Sequence, residues 1–161
     1  MGVPHFWHAL AVAAAAGLVA STSGDVPAVV SPPLYPDTPV VVDGQSACTI
    51  IASSSDPDHA AVARTVAETL AGRYGLDFPV LPDTDLCPEP ISSISEQSRQ
   101  ANLIVVGNAY TNRAILGFYA GFRCGADTHY PGGDGFELRT ICNPWGNGHN
   151  VVVVGFSTIE G

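Results

Sequence analysis

Two uninterrupted apolar runs in the second half of the chain, Asn102-Leu103-Ile104-Val105-Val106-Gly107 and Asn150-Val151-Val152-Val153-Val154-Gly155, limit its possible folds more than any other feature. Short runs of β-branched and aliphatic residues with no polar residue at alternate positions read as strands buried on both faces, and each run stops at a glycine. A sheet covered on two sides needs helices to cover it, so the expected class is α/β.

The other segments agree. Cys48-Thr49-Ile50-Ile51-Ala52 is β-prone, and Ser53-Ser54-Ser55-Asp56-Pro57 then supplies a helix cap and a first-turn proline. Between Asp58 and Tyr74, Val62, Val66 and Leu70 recur at every fourth residue, flanked by Ala63, Ala67 and Tyr74, so this helix should lie on the sheet through a small, alanine-rich face. Gly75 stands where a C-cap belongs, and Phe78-Pro79-Val80-Leu81 reads as a short strand that Pro79 assigns to a sheet edge. Those elements make a βαβ unit. Residues 83–100, interrupted by Pro88 and Pro90, read as a loop with a polar helical turn near its end. Thr111 or Asn112 caps a second helix running from Arg113 to about Gly121, and Phe136 to Ile141 alternates as a strand that pairs with residues 151–154 as an antiparallel hairpin. The expected fold is a small layered α/β domain over residues 47–161, with a mixed sheet built from the βαβ unit, a second strand–helix pair and a C-terminal β-hairpin.

Ahead of it, residues 10–20 are apolar but too few to span a bilayer comfortably, and Ser21-Thr22-Ser23-Gly24 suits a signal peptidase. Residues 1–24 therefore read as a secretory signal peptide, which makes the mature protein extracellular with no stable membrane insertion; an uncleaved anchor is the alternative. Residues 25–46 hold prolines at 27, 32, 33, 36 and 39 and read as an extended tether, within which Val40-Val41-Val42 could add an edge strand.

Charge excludes several functions. Fifteen acidic residues against six arginines, with no lysine, give a net charge of −9, which opposes nucleic acid and anionic lipid. Absence of lysine also removes a phosphate-loop lysine, a Schiff-base lysine and a lysine general base.

The order of a strand ending in Gly107-Asn108, then Asn112, then Asp127-Thr128-His129-Tyr130-Pro131-Gly132-Gly133-Asp134-Gly135-Phe136-Glu137-Leu138-Arg139-Thr140, then Asn143-Pro144-Trp145 and the final apolar strand resembles a known domain type. It is similar to the N-terminal non-catalytic α/β accessory domain of secreted carbohydrate-active enzymes, of the α-glucuronidase and β-hexosaminidase type and also seen before heparinase-like lyase modules. The resemblance covers residues 47–161 and implies a domain without catalysis or cofactor of its own. Such a domain packs against a catalytic module of the same or a neighbouring chain and can contact polysaccharide; the active residues lie in that module, which in those families continues past the position of Gly161. Two other readings are a small stand-alone secreted hydrolase and a cell-surface interaction module.

Particular residues carry the hydrolase alternative. Gly155-Phe156-Ser157-Thr158-Ile159 begins like a nucleophile elbow with Ser157 as nucleophile, but the closing glycine is missing. Asp127, His129 and Asp134, with Glu137, bring carboxylates and an imidazole to one loop, as acid/base or metal chemistry requires, while aspartates beside glycines also cap turns. Gly132-Gly133-Asp134-Gly135 precedes a strand, the wrong order for a phosphate cradle, and Gly107-Asn108 lacks the further glycines of a dinucleotide fingerprint. Tyr130 and Trp145 could form a sugar-stacking face. Cysteines at 48, 87, 124 and 142 have no metal-binding spacing; in a secreted chain they suggest disulfides, Cys124 with Cys142 first because both flank one loop-and-strand unit.

Overall fold

The computed structural model describes residues 37–90 and 94–160, so the expected signal peptide at 1–24 and most of the expected tether lie outside the described residues. The end of that tether is folded. Val41–Val42 (β1) and Gln45–Ser46 (β2) pair antiparallel across a two-residue turn in which Asp43 and Gly44 both have positive φ, 50° and 73°, the geometry that matches hairpin twist. β1 therefore pairs with β2 and not with the main sheet, and Val40 and Val41 pack against the core. Described structure thus reaches back to residue 37, with Val40-Val41-Val42 beside an Asp-Gly turn forming a hairpin strand despite the prolines before them.

The main sheet has five strands: β3 (Cys48–Ala52), β4 (Val80–Pro82), β5 (Asn102–Gly107), β6 (Phe136–Ile141) and β7 (Val151–Phe156), in the order β4-β3-β5-β7-β6. β3 runs parallel to β4 and β5, and β5 parallel to β7, with Ile104 opposite Val152. β6 closes the sheet antiparallel to β7, Phe136 opposite Phe156 and Ile141 opposite Val151. The mixed α/β sheet, the edge position of β4 and the C-terminal hairpin follow the sequence reading.

Between β3 and β4 runs α1 (Pro57–Tyr74), begun by the Asp56 side chain accepting from the Asp58 and His59 N–H groups and ended by Gly75 at φ 68°. Its buried residues, His59, Ala63 and Ala67, are small or flat, so the helix lies close to the strands. After β4 the chain makes a single helical turn, α2 (Asp83–Leu86), and after β5 it forms α3 (Arg113–Ala120), capped by the Asn112 side chain. Successive strand residues point to opposite faces. Ile50, Ile104 and Val106 meet α1 on one side, while Ile51, Leu103, Val105, Val151 and Val153 meet Leu86, Ile115 and Phe118 on the other. Burying each such aliphatic side chain contributes about 1.5–3 kcal/mol, so the strand cores dominate stability.

The expected Cys124–Cys142 disulfide is not formed: both residues are thiols. Cys124 faces inward, its Sγ 3.8 Å from the Ile115 carbonyl oxygen, and burial pushes its pKa up to about 11. Cys142 is half-buried just past the end of β6.

Candidate functional site

Open parallel sheets present ligand crevices at the carboxyl ends of strands where the chain departs in opposite directions, here between β3, which leads to β4, and β5 on its other side. Three loops meet there. Ser53 Oγ donates to the Thr111 carbonyl and accepts from the Asp56 N–H at 2.9 Å, joining the loop after β3 to the loop after β5. His59 Nδ1 lies 2.8 Å from Thr111 Oγ1, which accepts from the Asn108 N–H at 3.1 Å. Asp83, 1% exposed, accepts from the Ser54 N–H at 2.8 Å through one oxygen and from the Arg113 N–H at 2.7 Å through the other. Asn112 donates to the carbonyls of Ile51 and Val106 as well as capping α3, and Asn108 donates to the carbonyl of Phe156.

Gly107, at φ 127°, is required for this approach: a Cβ there would fall 2.9 Å from Thr111 Oγ1 and 3.4 Å from His59 Nδ1. His59 packs its ring 4.6 Å from that of Phe156, and burial holds its pKa below the ordinary value against the opposing pull of Asp56 and Asp58. The crevice therefore has the position of an α/β site and the wiring of a structural clasp. Both helix N-termini that would attract an anion are capped from within, one by the Asp56 carboxylate.

The candidate residues of the hydrolase alternative lie elsewhere, and their side chains are bonded to other partners. Asp127 accepts from the His129 and Tyr130 N–H groups at 2.7 and 2.8 Å and from the Tyr119 hydroxyl at 2.9 Å. Those bonds hold its carboxyl below the usual range, which weakens it as an acid or a base, and the same hydroxyl contact raises the pKa of Tyr119. His129 Nδ1 pairs with the neighbouring Thr128 hydroxyl. Ser157 Oγ accepts from the Gly132 N–H at 3.0 Å, and Thr158 donates to the Gly133 carbonyl, so the residues of the suggested elbow pin the glycine-rich turn to the end of β7. Glu137 is buried; one oxygen accepts from the Gly125 N–H and the other pairs with Arg139. Asp134 is exposed on the turn itself.

Tyr130 and Trp145, expected to share a stacking face, serve different surroundings. Trp145 is half-buried, its ring 6.4 Å from Phe118 and beneath the Arg99 guanidinium at 5.9 Å. Tyr130 instead lines an open depression of about 450 Å³ with Tyr119, Phe122, Cys124, Gly125 and Arg139. Phe122 is 96% exposed in a left-handed conformation (φ 55°), and Tyr130 is 53% exposed. Gly125 makes room for the Tyr130 ring, which a Cβ would approach to 3.1 Å. Sequence reasoning missed Phe122, since nothing in Gly121-Phe122-Arg123 distinguishes a displayed phenylalanine from a packed one. It also missed His59, Asp83 and Thr111, although the loop after a parallel strand was a usable signal.

Among the described residues no three His, Cys, Asp or Glu side chains are placed to hold a metal ion, and no helix is long and apolar enough to cross a membrane. No protein-family model matches the sequence, and no curated protein matches it either.

Proposed function

We propose that this chain is a secreted, non-catalytic accessory domain of a carbohydrate-active enzyme, which contacts polysaccharide through Tyr119, Phe122 and Tyr130 and packs against a catalytic module of the same or a neighbouring chain. One observation carries the reading: Asp127, Ser157 and Glu137 spend their side chains on backbone groups, while three aromatic rings stand exposed around a depression beside Arg139. An aromatic face stacks on the C–H face of a sugar ring with little loss of side-chain entropy, and the guanidinium can donate to hydroxyl groups.

Calorimetric titration of the full chain with a panel of neutral and uronate polysaccharides tests this. Weak binding that drops at least about tenfold in Phe122→Ala, the loss of one stacking ring, is expected. No turnover of aryl glycosides, uronate polymers or short esters is expected. Turnover abolished by Ser157→Ala or Asp127→Asn in a folded protein would replace the proposal with a small hydrolase.

A further inference from the structure

The depression that holds Tyr119 and Tyr130 has a neighbour. Phe122 and Arg139 line both it and a second hollow of about 360 Å³, which Arg123, Thr140, Cys142 and Pro144 also line. Among the described residues that line the second hollow are two arginines and no aspartate or glutamate.

This is unusual company in an acidic chain. Fifteen carboxylate side chains against six arginines give a net charge of −9, so acids are plentiful for any arginine that needs a partner. Arg99 and Arg113 are engaged by the carbonyls of Ile94 and Cys87. Arg139 hydrogen-bonds Glu137 through Nε, and its terminal nitrogens have no further hydrogen bond among the described residues. Arg123 is exposed; its backbone N–H donates to the Phe118 carbonyl, while its guanidinium has neither hydrogen bond nor ion pair among the described residues. Phe122, between Gly121 and Arg123, follows the C-cap of α3 in the left-handed conformation (φ 55°), where helices usually place glycine. A bulky residue held there strains the backbone, and such strain clusters where a displayed side chain is used.

We propose that the second hollow is a subsite for an anionic substituent, a carboxylate or a sulfate ester, on a polysaccharide whose sugar ring stacks on Phe122. The inference rests on the aromatic contact proposed above and narrows it to acidic polymers. Arginine suits this task, because its planar fork can give two parallel N–H···O bonds to one anionic group, each roughly twice as strong as a bond between neutral groups. With a net charge of −9 the chain as a whole repels such a polymer, so the attraction comes from the local pair and not from the overall field.

Calorimetric titration of the full chain with polymers that share a backbone and differ in charge tests the subsite. The pairs are dextran against carboxymethyl-dextran and dextran sulfate, and hydroxyethyl cellulose against carboxymethyl cellulose. At low salt each anionic polymer should bind at least about tenfold more tightly than its neutral counterpart, and roughly 0.5 M salt should remove that margin. Arg123→Gln, which breaks no internal side-chain bond, should reduce the margin about tenfold. Arg64→Gln, the same change of charge at an exposed position of α1, should leave it intact. Whichever of carboxymethyl-dextran and dextran sulfate binds more tightly identifies the group the subsite takes. Equal binding of neutral and anionic polymers, or a margin that Arg123→Gln does not change, would overturn the subsite and leave the aromatic contact standing. A margin reduced equally by Arg64→Gln would overturn it in favour of diffuse charge. Failure of every polymer to bind, neutral and anionic, would remove the aromatic contact and the subsite together.

Discussion

The carboxyl ends of the parallel strands and the loop between α3 and β6 use their side chains in opposite ways. At the strand ends, Ser53, His59, Asp83, Asn108, Thr111 and Asn112 gather where α/β proteins commonly place ligands, yet they bond to one another and to backbone groups of the neighbouring strands and loops. In the other region the polar side chains are again spent on turns, and it is the aromatic ones that are displayed. A group of polar residues at a switch point is therefore evidence of a site only when their bonds have been counted. Where the polar side chains are committed to internal bonds, the exposed apolar side chains say more about function.

The largest test of this contrast is Asp83→Ala. It strands two backbone N–H groups at a position only 1% exposed, and the unfolding free energy from urea melts should fall by about 3 kcal/mol. Polysaccharide binding by the folded fraction should not change; a fall below about 1 kcal/mol would mean the clasp is slack. Asn112→Ala should be next, costing about 2 kcal/mol, because it removes the α3 cap and the bonds to the Ile51 and Val106 carbonyls.

A smaller effect comes from His59. Its folded pKa lies below the unfolded value near 6.5, so the stability it contributes is fully present above that value and is lost as pH falls through it toward the folded pKa. Urea midpoints should decline between about pH 7.5 and pH 5.5, and His59→Phe should flatten that decline. The smallest stability change belongs to the other region: Phe122→Ala should move the unfolding free energy by no more than about 0.5 kcal/mol while weakening the proposed polysaccharide binding at least about tenfold. A large loss of stability there would make Phe122 a packing residue and erase the contrast.

Much of the fold was legible because apolar periodicity states which faces are buried. The run at 102–107 is a strand buried on both faces, the run at 151–156 is a strand buried on one face with Val152 and Val154 half-buried on the other, and Asp56 and Asn112 cap helices where short polar residues precede them. The β1–β2 hairpin was obscured by the prolines before it, and α2 by Pro82, which ends β4 directly ahead of it. The candidate site was less legible, since strand order is not written locally: His59 and Thr111 are far apart in sequence and meet only because β5 pairs beside β3. Disulfide pairing failed for a similar reason, as Cys124 and Cys142 are close in sequence while the Cys124 thiol turns into the core.

Among the described residues β6 is an edge of the sheet, bonded on one side only to β7. Unpaired N–H and C=O groups along such a strand are a template for another chain, and proteins guard against stacking by placing charges that would be trapped in the joint. Glu137 and Arg139 sit in the middle of β6, the carboxylate buried and committed to Gly125 as well as to the guanidinium. Extension of the sheet by a foreign strand would have to leave that pair intact and desolvate it further. The pair whose arginine lines the aromatic depression thus acts as a gatekeeper against edge-to-edge aggregation, and concentrated solutions of Glu137→Val with Arg139→Val should form β-rich aggregates sooner than the unsubstituted chain.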